Sequence, residues 1–174
     1  MIIGICGAKG AGKSTLAAAI EREFNASRVS FAEPMRRMMS ALMEYGGEVH
    51  PHQWFRACLK ESPCDALNGH SVRHAMQTLG TEWGRAHMGD DFWVEIARRR
   101  IANITGHVVI DDVRFANEAA LCDVLIEVVR QGTGGTDSHV SEAGGLEWHA
   151  QFHNTGSRAA VDQWARHVVS LWVR

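Results

Sequence analysis

Apolar residues change their spacing several times along this 174-residue chain, and each change marks an element. The opening run "MIIGIC" is compact and apolar, which predicts a buried strand. After a glycine-rich turn, "KSTLAAAIEREF" sets Leu16, Ile20 and Phe24 on one helical stripe. A short strand is predicted at 27–31 from "SRVSF". The next helix, "AEPMRRMMSALMEY", begins with a proline near its N-terminus. Its Met35, Met38, Met39, Leu42 and Met43 fall on one face and are expected to be core.

The pattern weakens at 46–69, where glycine, proline and histidine gather, and this stretch reads as an insertion or flap. Helical spacing resumes at Val72, Ala75, Met76 and Leu79 and is expected to stop at Gly80. Asp91 is placed to cap a further helix running to about Thr105, with Phe92, Ile96 and Ile104 among its apolar positions. "HVVIDDVRF" predicts a buried parallel strand that delivers carboxylates at its C-terminal end. A short helix in "ANEAALCD", a strand in "VLIEVVR", a long glycine-rich loop and a last strand in "WHAQFHNTG" follow. The helix at 157–174 repeats Val161, Trp164, Ala165, Val168 and Leu171 at helical spacing. Strands alternating with helices predict an α/β three-layer fold around a parallel sheet, in a single domain with no internal repeat.

Composition narrows the partners. Hydrophobic residues make up 45% and charged residues 22%, and no apolar run reaches the length of a membrane span. The first strand has no basic leader, so the expected location is the cytoplasm. Four cysteines in unrelated contexts point to reduced thiols, and His50, His52, Cys58 and Cys64 lack the spacing of a zinc site. A net charge of -2 offers no general attraction for nucleic acid, so stable binding to it is not expected. Positive charge comes mostly from arginine, because only Lys9, Lys13 and Lys60 are lysines. Arginine grips phosphates in bidentate fashion.

The turn after the first strand, "GAKGAGKS", fits G-x-x-x-x-G-K-[ST] in the required order of strand, loop and helix. Glycines let consecutive backbone N–H groups converge on phosphate oxygens at a helix N-terminus. Gly7, Ala8, Lys9, Gly10, Ala11 and Gly12 are therefore the candidate ATP-binding loop, with Lys13 reaching the β- and γ-phosphates. Ser14 is placed to offer its hydroxyl to Mg2+, and Thr15 is a neighbouring phosphate contact. Arg36 and Arg37 lie in the first turn of a helix, where the dipole disfavours a cation, and so look placed for a ligand.

Six motifs occur in order: "GAKGAGKST", "SFAEPMRRM", "MQTLGTEWGR", "GDDFWV", "DDVRFANEA" and "SHVSE". The set resembles the bacteriophage deoxynucleoside monophosphate kinase family, a branch of the P-loop nucleoside monophosphate kinases. The resemblance runs over nearly the whole chain but does not match 46–69. It implies a three-layer P-loop kinase fold over residues 1–174, a helical acceptor-binding region at about 34–105 and a lid-like loop at about 130–147. It also implies ATP and Mg2+ as cofactors and a (deoxy)nucleoside monophosphate as substrate. A phage-encoded chain of this kind would act in the host cytoplasm, supplying nucleotides for DNA synthesis.

By the same resemblance, Ser30, Phe31, Ala32, Glu33 and Pro34 look like the segment beside the acceptor nucleotide, with Arg36 or Arg37 near its phosphate. Gln77 and Glu82 are similar to residues that meet base edges, Trp83 suits stacking or packing, and Arg85 suits phosphate. Asp112 and Arg114 match an Asp-x-Arg pattern, the first for a magnesium-water shell and the second for phosphate. Asp111 is an extra acid, and which of the pair faces the metal is left open. Arg130 looks like a lid residue that clamps the donor's phosphates or stacks on adenine, while Asn154 and Gly156 would border the donor base.

Two rival readings stand beside this one. A P-loop kinase of a small alcohol, such as gluconate, shikimate or a coenzyme A precursor, would need a carboxylate base, for which Glu33, Asp111 or Asp112 could serve. A nucleotide-dependent switch would use the same loop, although no basic stripe or heptad accompanies it. The sequence leaves the oligomeric state open, and a homodimer would fit.

Overall fold

The computed structural model describes residues 1–56, 58–133 and 145–172, with the backbone alone for Val168 and Val169. Most of the expected lid loop, all of "SHVSE" and the side chain of Val168 lie outside this description. The described chain falls into two compact units, one of Met1–Phe31 with Val94–Arg174 and one of Ala32–Trp93.

The first unit is built on five parallel strands, β1 (Ile2–Cys6), β2 (Ser27–Val29), β3 (Val108–Ile110), β4 (Val124–Val129) and β5 (Ala150–His153), in the order β2-β3-β1-β4-β5. Its helices are α1 (Lys13–Phe24), the Val94 to Ile101 part of α5 (Phe92–Ile101), α6 (Ala116–Ala119) and α7 (Arg158–Val169). The alternation within each strand explains three layers. Ile3 and Ile5 of β1, Val109 of β3 and Ile126 of β4 pack with Leu16 and Ile20 of α1 and Val161 and Ala165 of α7. The intervening Cys6, Val108, Ile110 and Leu125 pack with Val94 and Ala97 of α5 and Leu121. Each fully buried Ile or Leu contributes about 1.5–3 kcal/mol, so covering both sheet faces is what keeps these parallel strands together.

The second unit contains α2 (Glu33–Tyr45), 3-10 turns at Pro51–Phe55 and Asp65–Leu67, α3 (Val72–Gln77), a π-helical stretch Thr78–Arg85 and α4 (Ala86–Met88). Its small core joins Met43, Cys64 and Val72, with Trp54, Phe55 and Met76 against them. The stretch 46–69 is thus partly core-forming: Cys64 is fully buried and Pro63 bridges to Ser71.

Several expectations are corrected here. The methionine face of α2 splits, with Met35 and Met43 buried while Met38 and Leu42 are 42% and 52% exposed. At about 100° per residue, positions 39 and 43 rotate toward the core and 38 and 42 away from it. Gly80 does not stop α3, because the chain continues through the π-helical stretch, where the Gly80 carbonyl accepts a hydrogen bond from the Trp93 indole at 2.8 Å. α5 ends at Ile101 instead of near Thr105, and β2 ends at Val29 instead of Phe31.

Candidate active site

Parallel strands put their C-terminal ends on one edge, so the residues that follow β1, β3, β4 and β5 are delivered to the same side of the sheet. After β1 comes the glycine loop. Gly7 has φ 128°, and a side chain there would place Cβ 2.3 Å from the Val128 carbonyl oxygen. Gly12, with φ 106°, would place Cβ 2.2 Å from the Asn154 amide nitrogen. Both positions therefore demand glycine on conformation and on space. Lys13 opens α1, and its ammonium donates to the carbonyls of Gly7 at 2.6 Å and Ala8 at 2.9 Å. The α1 turn closes with the Thr15 N–H donating to the Gly12 carbonyl at 3.0 Å, which leaves Ser14 in the first turn.

After β3 come the two acids, and they face different partners. Asp112 accepts from the Ser30 hydroxyl at 2.6 Å and from the Phe31 N–H at 3.1 Å, so it ties the end of β3 to the end of β2. Asp111 faces the Arg28 guanidinium at 3.6 Å, and Arg28 also pairs with Glu21 at 2.6 Å and reaches the Ser14 carbonyl at 3.4 Å. Arg114 is exposed, but its backbone N–H donates to the buried Glu118 carboxylate at 2.7 Å.

Beyond β4 and β5, Arg130 and Gly156 come together: a Cβ on Gly156 would lie 3.6 Å from the Arg130 guanidinium. Asn154 is buried, donates to the Ala11 carbonyl at 2.7 Å and accepts from the Gly156 N–H at 2.9 Å. Its amide is committed to backbone, and it joins β5 to the glycine loop. Below the loop, the Cys6 thiol is pushed up to about 11 by burial and then by Glu127, against the pull of Lys13. Burial likewise pushes Cys122 to about 12. Neither thiol is primed as a nucleophile.

In the second unit, Ala32 precedes α2 and its carbonyl accepts from the Arg36 N–H at 3.0 Å, with Pro34 in the first turn. Glu33 pairs with Arg37 at 2.9 Å and with Arg36 at 3.6 Å, so one acid on the same helix is shared by the two arginines and offsets only part of their charge. Gln77 closes α3, while Glu82, Trp83 and Arg85 lie on the π-helical stretch, a rare geometry that recurs at functional sites. Trp83 meets Phe92 edge to face at 5.7 Å, and Arg85 donates to the Asp90 carbonyl at 2.9 Å. A Cβ on Gly84 would meet the buried Trp93 ring at 2.3 Å.

Arg28, Glu118 and Trp93 carry local geometry that the sequence reading passed over. Glu118 had a signal, an acid at the third position of a helix start. Arg28 and Trp93 had none, because their partners are distant in sequence or unusual in backbone.

Comparison with known proteins places this geometry in a family. The model of the deoxynucleotide monophosphate kinase family matches residues 48–151, which takes in nearly all of the stretch left unmatched by motif. A protein of Acanthamoeba polyphaga mimivirus bearing the same kinase name is 30% identical over 159 residues, covering 82% of this chain and 80% of its own length. The deoxynucleotide monophosphate kinase of Escherichia phage RB69 is 29% identical over 105 residues, covering 56% of this chain and 41% of the phage protein. A solved Thermus thermophilus structure superposes with a TM-score of 0.53 at 15% identity, over 98% of this chain and 97% of that one, which speaks to the fold alone. No helix among the described residues is long and apolar enough to cross a membrane. The alcohol-kinase and switch readings give way on these matches: the chain belongs to the deoxynucleotide monophosphate kinase family.

Proposed function

We propose that this chain moves the γ-phosphate of ATP to a deoxynucleoside 5'-monophosphate, giving the diphosphate, with Mg2+ as cofactor. The observation that carries the reading is the glycine loop at the end of β1, with Lys13 held over its Gly7 and Ala8 carbonyls. A monophosphate is already ionised near neutral pH and needs no general base, so positioning and charge neutralisation carry the transfer. In this proposal Gly7 to Thr15 hold the donor phosphates, Lys13 neutralises their charge, and Arg114 and Arg130 meet the transferring group. Asn154 acts by holding the loop, and Gly156 gives Arg130 room.

Oxygen donors suit a hard divalent cation: the Ser14 hydroxyl in the first turn of α1 and the Asp112 carboxylate after β3 would hold Mg2+, through water in the second case. Asp112 is assigned this role on the Asp-x-Arg pattern it forms with Arg114, while Asp111 pairs with Arg28. When bound, the ion would offset the charge of the phosphate oxygens. Acceptor recognition is assigned to Phe31, Ala32, Glu33, Pro34, Arg36, Arg37, Gln77, Glu82, Trp83 and Arg85.

The test is diphosphate formation, followed by chromatography, from Mg-ATP and a panel of dAMP, dGMP, dCMP, dTMP, their ribonucleotides and modified pyrimidine monophosphates. Conversion of one or more deoxynucleotides in preference to ribonucleotides supports the proposal. A folded protein that binds ATP yet converts none overturns it.

A further inference from the structure

Among the described residues, Glu118 is the buried carboxylate, at 4% exposure, and the proposed transfer gives it no part. Burying a carboxylate is unfavourable unless hydrogen bonds compensate. Here the compensation is local: Oε2 accepts from the Arg114 N–H at 2.7 Å and from the Phe115 N–H at 3.2 Å. The start of α6 has a second acceptor, since the Asn117 side chain takes the Glu118 N–H at 3.0 Å. The Phe115 bond is the capping-box bond expected of an acid at the third position of α6, but the shorter bond to the Arg114 N–H lies one residue before the cap and is not part of that motif. What the buried acid does is pin two consecutive backbone amides, one of which belongs to an arginine whose side chain is exposed.

We infer that Glu118 is a positioning residue that holds the Arg114–Phe115 backbone so that the Arg114 guanidinium is presented in a fixed direction to the transferring phosphoryl group. The inference rests on the proposed role of Arg114. A long side chain rooted on a loose loop samples many positions, and misplacement by about 1 Å can cost on the order of 100-fold in rate. Pinning the Arg114 backbone next to β3 removes the slack at the root of the side chain.

The experiment is a double-mutant cycle on the full chain, with Mg-ATP and the deoxynucleotide that the panel identifies as accepted. Glu118→Met fills the space without an acceptor, Glu118→Gln keeps an oxygen for both amides, and each is combined with Arg114→Ala. Glu118→Met is expected to lower kcat roughly 10- to 100-fold with KM for ATP nearly unchanged, and Glu118→Gln to restore kcat to within about threefold. In the Arg114→Ala background, Glu118→Met is expected to lower kcat no further. An equal loss in both backgrounds makes Glu118 merely structural and overturns the inference. So does a Gln variant that falls at least tenfold, an outcome that decides the matter even if the Met variant does not fold. If Arg114→Ala alone leaves kcat intact, the proposed role of Arg114 is what fails.

Discussion

Asn154 and Ala11, 143 residues apart in the chain, are joined by a buried hydrogen bond in which the Asn154 side-chain amide donates to the Ala11 carbonyl at 2.7 Å. The same side chain accepts from Gly156, and the Asn154 backbone N–H donates to Val129 at 2.7 Å. One residue thus fastens the glycine loop to the ends of β4 and β5. Asn154→Ala should strand the Ala11 carbonyl and cost about 1–3 kcal/mol of stability. It should also raise KM for ATP, because the loop loses its clamp. Urea unfolding and steady-state kinetics check both, and a variant with wild-type values in each would show that the loop holds itself.

Lys13 separates chemistry from folding. Its ammonium touches the exposed Ala8 carbonyl and the partly buried Gly7 carbonyl, so the loop backbone gains little from it. Lys13→Ala should cut kcat by on the order of 1000-fold while stability changes by about 1 kcal/mol or less. Full activity in the folded variant would remove the loop from the mechanism.

Gly84 tests the π-helical stretch. A methyl group there would sit 2.3 Å from the indole nitrogen of Trp93, whose ring is 2% exposed and whose N–H is committed to the Gly80 carbonyl. The ring has nowhere to go, so Gly84→Ala should destabilise by about 1–3 kcal/mol. If Glu82 and Trp83 serve the acceptor, KM for the monophosphate should rise while KM for ATP holds. Equal rises in both constants would speak against that division of labour.

How far the residues foretold these relationships depends on the range of the force involved. Strand β1, the glycine loop and α1 were legible because their signals are local: an apolar run, a motif and a four-residue spacing. The alternation of strands and helices likewise announced the parallel sheet. The burial of α2 was misjudged, because five apolar positions spread over more than one side and only tertiary packing chooses Met43 over Leu42. Gly80 looked like a helix stop, yet Trp93 receives its carbonyl, and nothing in a single sequence pairs those two residues. Asn154 was read as a neighbour of the donor base; its amide bonds to Ala11 and Gly156 had no signal in the sequence, because Ala11 is brought near only by the packing of β1 with β4 and β5.

The cysteines carry the last prediction, which concerns pH. Cys58 is exposed, whereas Cys6 and Cys64 are buried and Cys122 is partly so. Burial, and then the nearby Asp123, pushes Cys122 up to about 12, and burial with Glu127 pushes Cys6 up to about 11, both from an ordinary value of 9.0. At pH 8, iodoacetamide should therefore label Cys58 first in the native protein. In the unfolded chain all of these thiols lose protons as the pH passes 9, while folded Cys6 and Cys122 keep theirs until about 11 and 12. Between those limits the folded state holds more protons than the unfolded one, so stability should fall as pH rises through the window and be indifferent to these thiols below it. Cys122→Ala removes one of the two groups and should flatten the decline. Urea midpoints at pH 8, 9, 10 and 11 for both proteins test this, and parallel profiles would mean that the fall at high pH comes from other groups.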